Sequence, residues 1–135
     1  MKTRTIAKIL VILLLIYAGI VIAFESLLGY TQPAGQGTLV ITTFNEGEPH
    51  SRVVARLESN GQLYVAANHW PRAWFRQALA NPEVQVTLDG LTSDYRAVRV
   101  EGAEHDQVDS DNALGLVFRI LTGFPPRYFV RLDPR

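Results

Sequence analysis

The chain has 135 residues, 47% of them apolar, and its thirteen Lys and Arg are balanced by thirteen Asp and Glu. A neutral chain lacks the basic surface that displaces counterions from phosphates, which excludes nucleic acid as a partner. No cysteine is present, so disulfides, zinc-thiolate sites, iron–sulfur clusters and a thiol nucleophile are excluded too.

Residues 9–24, between Lys8 and Glu25, form an uncharged run. At about 1.5 Å per residue this run covers roughly 24 Å, short of a ~30 Å hydrocarbon core. Thr5, Ile6 and Ala7 close the gap if the Lys8 stem carries its ammonium up to the headgroups. Leu27, Leu28 and Tyr30 continue into the far interface, where tyrosine is favoured. A cleaved signal peptide is the competing reading, with Lys2, Arg4 and Lys8 as its basic region, but no small-x-small site follows closely. We read residues 1–30 as a basic tip and a transmembrane anchor in the lipid bilayer, and residues 31–37 as a tether. Basic residues precede the span and Glu25, Glu46 and Glu48 follow it. The positive-inside rule then keeps the N-terminus cytoplasmic and the domain outside; a cytoplasmic domain is the alternative.

Residues 38–135 read as one mainly-β domain. Leu39-Val40-Ile41-Thr42-Thr43-Phe44 is β-branched and aromatic, as strands prefer. Asn45-Glu46-Gly47-Glu48-Pro49 predicts a turn, and residues 51–57 the return strand. Asn60-Gly61 is a strong hairpin signal, with a third strand over 62–67. Pro71 suits a first helical position; Trp74, Phe75, Ala78 and Leu79 recur at helical spacing, and Asn81-Pro82 stops the helix. Val84-Gln85-Val86-Thr87-Leu88 alternates as a half-buried strand, Asp89-Gly90 turns, and residues 95–101 return. Asp109 or Ser110 is expected to cap a second helix running to about Leu121, with Leu114, Val117, Phe118 and Leu121 as its apolar stripe. Residues 128–132 close as a last strand. The order β-β-β-α-β-β-α-β predicts mostly antiparallel strands closed into a small barrel, with one inserted helix.

Most catalytic signatures are missing. There is no Gly-x-Ser-x-Gly elbow, and His50, His69 and His105 stand singly, without metal-ligand spacing. Asp106, Asp109 and Asp111 lack the glycine and final Glu of a calcium loop, and read as helix capping. One segment stands out: Asn68-His69-Trp70-Pro71-Arg72-Ala73-Trp74-Phe75-Arg76-Gln77 joins a strand to a helix start. Its amides attract an anion, and Arg72 and Arg76, four apart, share one side of the helix. Arg52 and Arg56 in the hairpin strand add two guanidinium groups for a phosphate. Tyr64, Trp70 and Trp74 are candidates to stack on a planar ring; the competing reading puts Trp74 and Phe75 in the core and the arginines on the surface.

Trp74-Phe75-Arg76-Gln77-Ala78-Leu79-Ala80-Asn81-Pro82-Glu83-Val84, preceded by Tyr64-Val65-Ala66-Ala67, resembles the "P-x-W-Y-x-N-L-x-A-N-P-x-V" signature of deazaflavin-dependent nitroreductases, within the flavin-binding split-barrel group. The likeness runs from about Leu39 to Leu132. It implies an FMN-binding split β-barrel with one inserted and one C-terminal helix. It also implies coenzyme F-420 or FMN as cofactor, hydride transfer to quinone-like or nitroaromatic acceptors, and a possible homodimer. By position, Arg52 matches a basic residue after the family's Gly-Arg-Lys-Ser-Gly turn, and Asn68 to Arg72 match its phosphate-side loop. That turn is here the acidic Asn45-Glu46-Gly47-Glu48-Pro49-His50, and Gln77 replaces the usual Asn. The alternative is a non-catalytic, tethered split barrel that binds a ligand or partner.

Overall fold

The computed structural model describes residues 2–31, 37–67, 73–124 and 126–135. In chain order the elements are α1 (Thr3–Thr31), β1 (Thr38–Asn45), β2 (Glu48–Ala55), β3 (Leu57–Ser59), β4 (Gln62–Ala67), α2 (Ala73–Ala80), β5 (Glu83–Leu88), β6 (Leu91–Arg99), α3 (Gly102–Asp111), α4 (Leu116–Leu121) and β7 (Tyr128–Pro134). They form two compact units, residues 1–31 with 114–125, and residues 32–113 with 126–135.

Three two-residue turns organise the larger unit. Glu46-Gly47, Asn60-Gly61 and Asp89-Gly90 have positive φ at both positions, the backbone hand that suits the twist of the strands they join. They close the hairpins β1–β2, β3–β4 and β5–β6. All pairings are antiparallel, in the order β2-β1-β5-β6-β7-β4-β3. The sheet curls far enough for β2, at one edge, to approach β4 near the other. The first turn is narrower than the expected five residues. Pro49 lies within β2, opposite Phe44; a proline is tolerated there because β2 is an edge strand and does not need every N–H in a ladder. The return strand therefore spans 48–55, and Leu57 opens the separate short strand β3.

The concave face of the sheet holds the main core. Leu39, Ile41, Val54, Val65, Val84, Val86, Ala97, Val130 and Leu132 meet Trp74, Phe75 and Ala78 of α2 there. The opposite face of β4 and β7 is covered as well, because Tyr64 and Phe129 cluster with Val100 and Val108. Burial on both faces is why Gln62–Ala67 lacks the clean alternation of β1.

The helix expected from Asp109 or Ser110 to Leu121 is two helices. The first begins at Gly102, seven or eight residues earlier, and ends at Asp111; residues 112–115 separate it from α4. Periodicity missed α3 because Val108 is its one buried residue. Polar contacts dock it instead. Arg131 donates to both oxygens of Glu104 at 2.9 and 3.1 Å, and Tyr64 donates to Glu104 at 2.9 Å. Ser59 donates to Asp111 at 2.6 Å. Arg127 donates to Asp109 at 3.0 Å and stacks over Phe129, 4.8 Å from its centroid. Asp109 and Asp111 are thus partners of residues on the barrel rather than helix caps.

The smaller unit is α1 with α4. The stretch Thr3–Leu27 is long and apolar enough to cross a membrane.

Burial of Tyr64, and then its bond to the Glu104 carboxylate, push its phenol pKa up from 10.0 to about 12. The folded state holds that proton more tightly than the unfolded chain. Its contribution to stability is therefore intact below pH 10 and is lost as the pH rises from 10 towards 12. Tyr64→Phe is expected to reduce the stability loss between about pH 9 and about pH 11 in denaturant melts; a loss as steep as in the unaltered chain would count against this environment.

Candidate functional site

Helix α2 carries three residues of the segment that resembles the family signature into the core. Its apolar positions 74, 75 and 78 fall on one helical face and are buried. Phe75 meets Tyr128, with ring centroids 6.0 Å apart. The helix ends where expected, with the Asn81 N–H bonding the Gln77 carbonyl and Pro82 following. The flank next to the buried face is polar: Gln77 Oε1 accepts a 2.7 Å hydrogen bond from Thr43 Oγ1, and Thr43 is wholly buried in β1. This bond, with the apolar face, seats α2 against β1, and the helix also touches β2 and β6.

The register of β2 decides what stands beside α2. Val54 pairs with Leu39, Arg52 with Ile41 and His50 with Thr43. Directly paired residues share a face, so Arg52 and His50 lie on the same concave face as the core residues Leu39 and Ile41. Both are exposed, because β2 is the sheet edge. Arg76, next to Gln77 on α2, is exposed too. Among the described residues, Arg52 and Arg76 form no ion pair. The edge of the concave face beside α2 is therefore cationic at Arg52 and Arg76, with His50 next to Arg52 and the carboxylate of Glu48 two residues further along the same face.

The other residues singled out from sequence have different surroundings. Arg56, expected in the hairpin strand with Arg52, lies just past the end of β2, between it and β3. It is held by Glu58 at 2.7 Å, with Asp89 at 4.0 Å, and lines a separate open hollow of about 290 Å³ with Glu58, Leu88, Tyr95, Leu132 and Pro134. Two carboxylates against one guanidinium make that hollow a poor anion site. Trp74 is only 4% exposed and packs edge-on against Phe75 at 6.0 Å, so its ring is part of the core rather than a stacking surface. Tyr64 is committed to Glu104 on the other face of the sheet. Asn68, His69, Trp70 and Arg72 lie outside the described residues. His105 shares a 2.8 Å hydrogen bond with the Arg127 carbonyl. Among the described residues no three His, Asp or Glu side chains gather as metal ligands.

His50 was not among the site residues drawn from sequence, and Gln77, which ends the segment singled out there, was given no role. Counting back by two from Val54 would have placed His50 with Arg52. The role of Gln77 had no local signal, since its partner Thr43 lies 34 residues away.

The sequence matches no protein-family model and no curated protein. Its structure is similar to several solved ones. The haem storage protein HutZ of Vibrio cholerae is 19% identical with a TM-score of 0.57, over 74% of this chain and 82% of that one. A FAD-binding protein of Mesorhizobium loti is 18% identical with a TM-score of 0.53, over 84% and 87%. A domain-swapped dimer is 20% identical with a TM-score of 0.54, over 72% and 81%. At these identities the likeness establishes the fold, a split β-barrel preceded by an apolar helix.

The Thr43–Gln77 bond gives a test of how α2 is seated. Thr43→Val is expected to cost about 1–2 kcal/mol by stranding the Gln77 amide, and the added change Gln77→Leu to recover most of it. A denaturant double-mutant cycle with no coupling between the two positions would contradict this seating.

Proposed function

We propose that this chain is a membrane-anchored split-barrel oxidoreductase that binds FMN or coenzyme F-420, with Arg52, His50 and Arg76 facing the cofactor phosphate. The observation that carries this reading is the cationic edge beside α2. Two guanidinium groups without a carboxylate partner among the described residues border a concave face, next to the helix that resembles the family signature. Such groups bind phosphate oxygens by short, charge-assisted hydrogen bonds. Asn68, His69, Trp70 and Arg72 belong to the proposed site by their position just before α2.

A flavin or deazaflavin would supply the hydride, while the protein binds and orients it. The proposed acceptors are quinone-like or nitroaromatic. Quinones suit a chain whose N-terminal helix is apolar enough to span the bilayer in which they dissolve. The proposed topology has the N-terminus in the cytoplasm and the domain outside. A homodimer is also proposed, supported by the neighbour described as a domain-swapped dimer and by the open edge of β2.

A non-catalytic, tethered binding module is the second reading. It is favoured by the acidic turn at Glu46 and Glu48 and by the commitment of Trp74 to the core. The two readings separate in a titration of FMN and coenzyme F-420 into detergent-solubilised protein, followed by cofactor fluorescence. The oxidoreductase reading predicts binding that Arg52→Glu and Arg76→Glu each weaken roughly ten- to a hundredfold, as expected for one lost charge-assisted bond. Arg96→Glu, a change at an exposed arginine on β6, should leave it unchanged. No binding of either cofactor at high micromolar concentration would leave the module reading in place.

A further inference from the structure

The segment from Gly115 to Phe124 has no part in the proposed cofactor site, yet it is the most apolar surface outside α1. Leu116, Val117, Ile120 and Phe124 are all exposed, Val117 by 72%. The segment that bears them packs on α1. Phe24 meets Phe118 edge-on at 5.8 Å. The Tyr17 hydroxyl donates to the Ile120 carbonyl at 2.8 Å. A Cβ built on Gly123 would stand 3.3 Å from Val21. Tyr17, Val21 and Phe24 all lie within the stretch long and apolar enough to span a bilayer.

We infer that α4 is a second membrane-embedded element, dipping into the same leaflet as the C-terminal half of α1, with lipid acyl chains covering Leu116, Val117, Ile120 and Phe124. This rests on the reading of α1 as a membrane span. From Phe24 to Tyr17 is seven residues, about 10 Å along a helix. Phe118 lies at the shallow end of that interval and Ile120 at the deep end, so α4 enters with its N-terminus nearer the headgroups.

The hydrogen bonding supports this independently. In hydrocarbon, backbone groups must be satisfied within the protein. The deep end of α4 meets that demand. Phe118 O accepts from the Thr122 N–H at 3.0 Å and from its hydroxyl at 2.9 Å. Arg119 O accepts from the Phe124 N–H at 2.8 Å, and Ile120 O from the Gly123 N–H at 3.2 Å as well as from Tyr17. Gly123 and Phe124, with φ of 77° and 51°, make the left-handed reversal that closes these bonds. The mid-span phenol of Tyr17 thereby gains a partner. The shallow end, by contrast, has no side-chain cap, as suits a terminus in the wet interface. Arg119 carries the one charge of α4; its guanidinium lies over the Phe124 ring at 5.4 Å, and its stem is long enough to snorkel.

The chain has no cysteine, so single spin labels can be placed cleanly in the full chain, reconstituted in phosphatidylcholine vesicles. Labels at Val117→Cys and Leu116→Cys are compared with Ile12→Cys in α1 and Ser93→Cys on β6, all exposed positions. Val117 is expected to resemble Ile12, with an oxygen-to-nickel collision ratio several-fold above that at Ser93. A water-like ratio at Val117 and Leu116 with a lipid-like one at Ile12 would overturn the embedding of α4 while sparing the anchor. Low accessibility to both reagents at Val117 would indicate cover by protein and would equally overturn it. A water-like Ile12 would sink the anchor and this inference together.

Discussion

The seating of α2 on the concave face is the constraint on which the rest of the larger unit depends. Trp74, Phe75 and Ala78 supply apolar surface that the curled sheet would otherwise leave open to water. Burying a large aromatic side chain is worth roughly 1.5–3 kcal/mol, so two of them dominate this end of the core. The Thr43–Gln77 bond then fixes which flank of the helix meets β1. Because β2 lies beyond β1 at the sheet edge, the same placement leaves His50 and Arg52 uncovered next to α2.

The arginines sort by what neutralises them. Arg127 is almost fully buried; burial lowers its pKa, while Asp109 opposes that shift. Arg131 is bonded to Asp133 and Glu104, which raise its pKa. Both work as clasps for α3, a helix with too little apolar surface to dock by burial alone. Arg56 is spoken for by Glu58. Arg52 and Arg76 have no such carboxylate among the described residues, and that difference singles them out as available to an anion.

Much of this fold can be read from the sequence because its signals are local. Asn60-Gly61 and Asp89-Gly90 turn where their backbone preferences say they should, Asn81-Pro82 ends α2, and the 2-residue period of 39–43 marks which side of β1 is buried. What the sequence hid depends on distant pairs. The start of α3 has no apolar stripe, because Glu104, Asp109 and Asp111 are bound by Arg131, Arg127 and Ser59 from other elements. The apolar stripe read across 114–121 is only partly one, because Leu114 lies outside α4 and Val117 is exposed; Phe118 is the member that meets Phe24 of α1. For the site, sequence proximity suggested Arg52 and Arg56 as one pair; Arg56 instead falls beyond the end of β2 and is paired with Glu58. Trp74 was open to two readings, and core packing decides between them.

If the cationic edge beside α2 is a phosphate site, it should discriminate between FMN and riboflavin, which share a ring and differ by that phosphate. Binding isotherms of the two on the same detergent-solubilised chain measure this directly. FMN is expected to bind at least about tenfold more tightly, with the gap narrowing as salt is raised. Equal affinities, or riboflavin the tighter of the two, would contradict a role for Arg52 and Arg76 in holding a cofactor.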